Sequence, residues 1–110
     1  MDHINLTPAT AKVLKELLDD IQNRHYGREI MRATGLKSGS LYPILARLER
    51  QGVIKAEQEE IDPAEAGRPA RRYYKITGEG ARTARLALAE LHEATRVSDR
   101  QPGFSPGLTT

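Results

Sequence analysis

The stretch Lys37-Ser-Gly-Ser-Leu-Tyr-Pro-Ile-Leu-Ala-Arg-Leu-Glu-Arg-Gln-Gly52 decides how the rest of the chain is read. Leu41, Ile44, Leu45 and Leu48 recur at i, i+3, i+4 and i+7, the spacing of one buried helix face. Ser38 or Ser40 suits the N-cap, and Gly52 stands where a left-handed C-terminal residue is expected. Pro43 keeps an internal hydrogen bond intact only in the first turn, which sets the helix start near Ser40. A shorter helix from Tyr26 to Thr34 precedes it across Gly35-Leu36-Lys37. Two helices joined by a few residues including glycine form a helix-turn-helix.

On the N-terminal side, Thr7 followed by Pro8 marks the start of a first helix. Val13, Leu14, Leu17, Leu18 and Ile21 give it an apolar face broad enough for a core and a partner chain at once, with Thr10 and the charged residues mostly off it. In the second helix Ile30, Met31 and Ala33 are the residues expected to be buried, and Gly35 ends it.

On the C-terminal side, Val53 to Glu59 alternates loosely as a strand, Asp62 to Pro69 is turn-forming, and Ala70 to Ile76 reads as a second strand. Together they make a β-hairpin in which alternation predicts one of Tyr73 and Tyr74 buried and the other outward. Thr77 caps a last helix, rich in Ala, Leu, Arg and Glu, that extends to about Arg96. Its Ala81, Ala84, Leu88, Leu91 and Thr95 form a short heptad-like seam, with Leu86 and Val97 off it. Residues 98–110 hold two Pro-Gly steps and no periodicity, and read as a mobile tail. The division is one domain over 1–97, its final helix at about 78–97, and the tail.

The chain has 110 residues, the size of one small domain. It has no cysteine, no Trp and one Phe, so its core rests on aliphatic residues, and disulfides and thiolate metal sites are excluded. Neither a signal peptide nor a bilayer-spanning run is visible, and a cytoplasmic, nucleoid-associated protein is expected. The net charge of +2 conceals two basic clusters. One spans Arg24 to Lys55; the other is Arg68, Arg71, Arg72 and Lys75; Glu57, Glu59, Glu60, Asp62 and Glu65 lie between them. Such asymmetry fits a protein with one nucleic-acid face. His3, His25 and His92 lack metal-ligand spacing, and neither a phosphate loop nor a catalytic motif appears, so no enzyme, metal site or cofactor is expected.

The element order is that of a winged helix-turn-helix: mainly α with a small β-hairpin (α+β), three N-terminal helices, a two-stranded wing and a C-terminal dimerisation helix. Three motifs carry a closer likeness: Tyr26-Gly-Arg-Glu-Ile30, Ser40-Leu-Tyr-Pro-Ile-Leu-Ala-Arg-Leu-Glu49, and Gly67-Arg-Pro-Ala-Arg-Arg-Tyr-Tyr-Lys-Ile-Thr-Gly-Glu-Gly80. With them the chain closely resembles the PadR family of bacterial transcriptional regulators, in its small subgroup with a single helix after the wing. The resemblance implies a homodimer, usually a repressor, on a roughly palindromic double-stranded DNA operator. The third helix would enter the major groove, the wing would lie along the backbone or minor groove, and the first and last helices would pair the subunits. Some members bind hydrophobic drugs or phenolic acids, in certain cases between tryptophans at the dimer interface; a chain without Trp, its one Phe in the tail, is not expected to hold a stacked site of that type, and the sequence names no effector.

The N-terminal residues of a recognition helix reach base edges. Here they are Lys37, Ser38, Gly39, Ser40, Tyr42 and Pro43. Lys37 suits a phosphate or a guanine, the serines phosphates or bases, Gly39 a close backbone approach, and Tyr42 a thymine methyl or a phosphate. Arg47, one turn on, is better placed for a phosphate, as are Arg71 and Arg72 from the wing; Arg68, nearest the loop tip, is the minor-groove candidate. The resemblance adds Tyr26 through its hydroxyl. Leu14, Leu17 and Leu18 of the first helix, with Ala84, Leu88, Leu91 and Thr95 of the last, are the expected dimer interface. A winged-helix dimer that serves as a protein adaptor and does not bind DNA is the competing reading. Steep salt dependence of DNA binding separates the two.

Overall fold

The structure is a computed structural model that describes residues 4–99, with side chains to residue 94. In chain order it runs α1 (Pro8–Asp19), β1 (His25–Tyr26), α2 (Gly27–Thr34), α3 (Ser38–Arg50), β2 (Ile54–Gln58), α4 (Pro63–Ala66), β3 (Arg72–Ile76) and α5 (Gly78–Asp99). The α+β winged-helix architecture is as expected from the sequence, with two additions. β1 pairs antiparallel with β3, His25 opposite Tyr74 and Tyr26 opposite Tyr73, so the sheet has three strands in the order β1-β3-β2. The wing loop holds the one-turn helix α4, started by Asp62, whose carboxylate accepts the Ala64 N–H at 3.0 Å.

Local chemistry accounts for most boundaries. Thr7 caps α1 by accepting the Thr10 N–H at 3.1 Å. Gly35 closes α2 at φ 77°, donating its N–H to the Met31 carbonyl at 2.8 Å. Gly52 follows α3 at φ 79°; both are left-handed positions that glycine occupies at little cost. The start of α3 differs from expectation. Lys37 is its N-cap, its carbonyl accepting from the Ser40 and Leu41 N–H groups, and both serines lie inside the helix without capping it. Pro43 therefore stands in the second turn and leaves the Gly39 carbonyl without a helical donor. Gly39 is exposed, so solvent is available to that carbonyl.

The core joins Leu14 and Leu17 of α1, Ile30 of α2, Leu41, Leu45 and Leu48 of α3, Val53, Ile54, Tyr74, Ile76, Ala81 and Ala84. Thr10, placed off the apolar face by pattern, is buried at 1% exposure, while Ala33 is exposed. Tyr73 and Tyr74 are both buried, contrary to the alternation argument. They do point to opposite faces: Tyr74 joins the core, and Tyr73 is covered from outside by Tyr26, edge-on at 5.8 Å, and by the Arg24 guanidinium, 4.5 Å above its ring.

α5 is tied to the sheet at its first turn. The Thr77 hydroxyl accepts the Gly80 N–H at 2.8 Å and lies 3.0 Å from the Gly52 carbonyl, while its own N–H donates to Val53 at 3.0 Å. Gly80 passes so close to Val53 that a Cβ there would fall 2.7 Å from that residue's backbone carbon atoms. α5 runs to Asp99, two residues into the expected tail; the remainder of that tail, from residue 100, lies outside the described residues. Among the described residues no helix is long and apolar enough to cross a membrane, and no group of His, Asp or Glu is placed to hold a metal ion.

Candidate nucleic-acid interface

The apolar stripe of α3 is spent on the core, which turns its opposite side outward. Lys37, Ser38, Gly39, Ser40 and Pro43 are all exposed, and Tyr42 is 41% exposed. A Cβ built on Gly39 meets nothing within 4 Å, so the fold itself does not require glycine there. Arg47, a turn further on, is half-buried.

Tyr42 is the side chain of this turn that reaches back into the protein. Its ring crosses the start of α2, where a Cβ on Gly27 would lie 2.9 Å from Cζ and closer still to the hydroxyl. It is also near enough to Tyr74 to act on that phenol electrostatically. Burial pushes the Tyr74 hydroxyl pKa up, its hydrogen bond with Arg72 pulls it down, and Tyr42 and Glu49 add smaller upward effects.

The three wing arginines, similar in sequence, have different surroundings. Arg71 is exposed, its guanidinium 5.8 Å over the Tyr26 ring, which brings the expected Tyr26 and Arg71 together at one edge of the sheet. Arg72 is exposed and paired loosely with Glu49 of α3, 3.4 Å from each carboxylate oxygen. Arg68 is bound bidentately by Glu59 and also donates to the Pro69 carbonyl at 3.1 Å. Arg68, the minor-groove candidate as the arginine nearest the loop tip, thus has its guanidinium held by Glu59 within the wing. The Arg68 bonds, followed by the Arg71 N–H at 3.1 Å, hold the Glu59 carboxyl well below its ordinary value, at about 2. The same pair raises the Arg68 guanidinium above its own usual value.

The sequence placed Arg24 in a basic cluster, Glu59 in the acidic stretch and Gly27 and Glu49 in motifs, but it did not show what each of them touches. Each acts through a partner distant in sequence. The expected subunit contacts also divide. Leu14, Leu17 and Ala84 are buried within their own chain at 0% exposure, and α1 packs against α2, α3, α5 and β3. Leu18 and Leu88 are half-buried against the same core, Leu91 is 42% exposed, and the Thr95 side chain lies outside the described residues.

A model of the Transcriptional regulator PadR-like family matches residues 14–86, from α1 through the first part of α5. The chain belongs to the PadR-like family. No curated protein matches this PadR-like chain. Among solved structures it is similar to a PadR family transcriptional regulator from Eggerthella lenta, 22% identical, TM-score 0.67, covering 84% of this chain and 83% of that one. It is also similar to a PadR family regulator from Clostridium difficile, 24% identical, TM-score 0.65, covering 83% and 95%. A MepR–DNA complex from S. aureus matches at 16% identity and TM-score 0.64, covering 96% of this chain and 80% of that one. At these identities the structures share the fold. Family and neighbours are transcriptional regulators and not enzymes.

Proposed function

We propose that this PadR-like chain is a sequence-specific, double-stranded DNA-binding repressor that acts as a homodimer on a palindromic operator. α3 enters the major groove with Lys37 to Pro43 leading, and the wing follows the backbone or minor groove. The observation that carries this reading is the outward turn of α3. It combines two serines, a lysine, a tyrosine and a glycine for which the fold has no use, beside the exposed Arg71 and Arg72. A helix end of that kind admits backbone and base edges closely. The DNA complex known for the MepR structure of the same fold agrees with it.

Within this reading Ser38, Ser40 and Tyr42 read bases, Lys37, Arg47, Arg71 and Arg72 neutralise phosphates, and Tyr26 offers its hydroxyl to the backbone beside Arg71. Arg68 shapes the wing. Leu18, Leu88 and Leu91 pair two copies, and the dimer works in the cytoplasm on the nucleoid. Domain 1–97 with its helix at about 78–97 is the functional unit, needing no cofactor; any effector is a separate small molecule.

A titration of duplex DNA against salt tests the proposal. Affinity falls steeply and log-linearly with salt concentration as phosphate contacts release counterions. Arg71→Ala lowers the slope by about one and weakens operator and non-specific DNA alike, whereas Ser40→Ala weakens the operator more. Absence of duplex binding at low salt overturns the reading in favour of an adaptor.

A further inference from the structure

Gly27 opens α2, and nothing in its backbone calls for glycine. Among the described residues the left-handed glycines are Gly35, Gly52 and Gly67; Gly27 is not one of them. In ordinary helical conformation glycine is less favourable than alanine, so local energetics favour a side chain at this position. The counter-requirement comes from Tyr42. Gly27 is buried, and a Cβ on it would fall 2.9 Å from Tyr42 Cζ, 3.1 Å from Cε1 and nearer still to the hydroxyl. The phenol occupies the volume that any other residue at position 27 would fill.

From this contact, and resting on the DNA-binding reading above, we infer that Gly27 is a positioning residue for operator recognition: it seats the Tyr42 ring in one orientation on the outward turn of α3. Tyr42 is 41% exposed, so one side of the ring is spent on α2 and the other is presented outward. A tyrosine with its ring already fixed loses little side-chain freedom on binding, and that pre-organisation favours affinity and discrimination. Displacing the ring leaves the charges of the surface unchanged, so the effect falls on specificity and spares non-specific attraction.

The test is a double-mutant cycle with Gly27→Ala and Tyr42→Ala in the full chain. Two duplexes serve as probes: one selected by the wild-type protein from a randomised pool, and a scrambled duplex of equal length. Gly27→Ala lowers the ratio of selected to scrambled affinity by roughly tenfold, the scale of one base-specific contact, and leaves the scrambled affinity unchanged. In the Tyr42→Ala background the same change has no further effect, because no ring remains to displace. That double variant lacks the ring whose atoms come nearest to a Cβ at position 27, and its circular dichroism shows whether the alanine is compatible with folding. In the free protein the ring ¹H–¹³C signals of Tyr42 move in Gly27→Ala while those of Tyr73 stay in place. Unmoved Tyr42 signals, or equal losses in both backgrounds, overturn the assignment. If the wild-type protein binds no duplex at low salt, the regulator reading fails instead, and the ring signals still decide whether Gly27 seats Tyr42.

Discussion

Arg68 and Glu59 meet bidentately across the wing, Nη1 2.8 Å from Oε1 and Nη2 3.0 Å from Oε2, and Glu59 Oε1 also accepts the Arg71 N–H at 3.1 Å. One carboxylate thus joins the end of β2, the loop and the start of β3. An acid beside a DNA-binding surface repels phosphate, yet this one holds the exposed Arg71 backbone in place.

Glu59→Gln is therefore expected to weaken DNA binding although it removes a negative charge. A loss of roughly threefold or more at low salt is the scale of lost pre-organisation, and the Arg71 amide exchanges faster with solvent. The pair also sets a pH dependence. The carboxyl is depressed from 4.5 to about 2 in the folded chain, so its contribution to stability is fully present above the unfolded value. It is lost as pH falls through about 2. An NMR titration of the Glu59 side-chain carboxyl gives the midpoint directly; a midpoint near 4.5 would show that the pair does not persist in solution. In Glu59→Gln the wing amides lose their dependence on pH over that window.

Arg72 and Glu49 form a weaker link of opposite consequence. Their closest atoms are 3.4 Å apart and both side chains are substantially exposed, so the pair contributes at most about 1 kcal/mol to stability. It does hold Arg72 against α3 and offset its charge. Glu49→Gln is expected to leave the urea midpoint nearly unchanged while raising affinity for duplex DNA about threefold or more at low salt, a gain that shrinks as salt rises. Unchanged or weaker binding would place Arg72 away from the phosphates.

The two glycines at the start of α5 separate packing from helix propensity. A Cβ on Gly80 would overlap Val53 backbone, which does not yield as a side chain does, whereas one on Gly78 meets nothing within 4 Å. Gly80→Ala should cost about 1–3 kcal/mol, the range of overpacked sites. Gly78→Ala should be neutral or stabilising by up to about 1 kcal/mol. Urea denaturation of both variants reads the contrast, and equal effects would mean that α5 does not approach Val53 this closely.

What the sequence made legible was what is decided locally. Thr7, Gly35, Gly52 and Thr77 mark their element ends through bonds within a few residues or through backbone conformation. The leucines of α3 show their face through period alone. What stayed hidden depends on distant partners. His25–Tyr26 is too short to show alternation and becomes a strand only by pairing with Tyr73 and Tyr74. The burial of Tyr73 on the face opposite Tyr74 needs Arg24 and Tyr26 laid over its ring. Distance from the loop tip separates Arg68 from Arg71 and Arg72, but not the pairing of Arg68 with Glu59 and of Arg72 with Glu49. A broad apolar face on α1 does not reveal whether its own chain or another covers it; for Leu14 and Leu17 its own chain does.

The core that encloses α1 also takes in the start of α5. Cutting the chain before Ala81 removes Ala81 and Ala84, which are 3% and 0% exposed in the protomer core, so such a truncation confuses unfolding with dissociation. Point changes further along α5 avoid this. Leu91 is 42% exposed and Leu86, 62% exposed, lies five residues earlier, about 140° around the helix. Burying a leucine at an interface is worth about 1.5–3 kcal/mol, so Leu91→Asp should raise the dimer dissociation constant by roughly tenfold or more. Leu86→Asp, off the seam, should leave it unchanged. Sedimentation equilibrium measures both, and circular dichroism at low protein concentration should show each protomer folded as in wild type. If Leu86→Asp dissociates the dimer and Leu91→Asp does not, the subunits meet on the other face of α5, and Leu88 belongs to the protomer core alone.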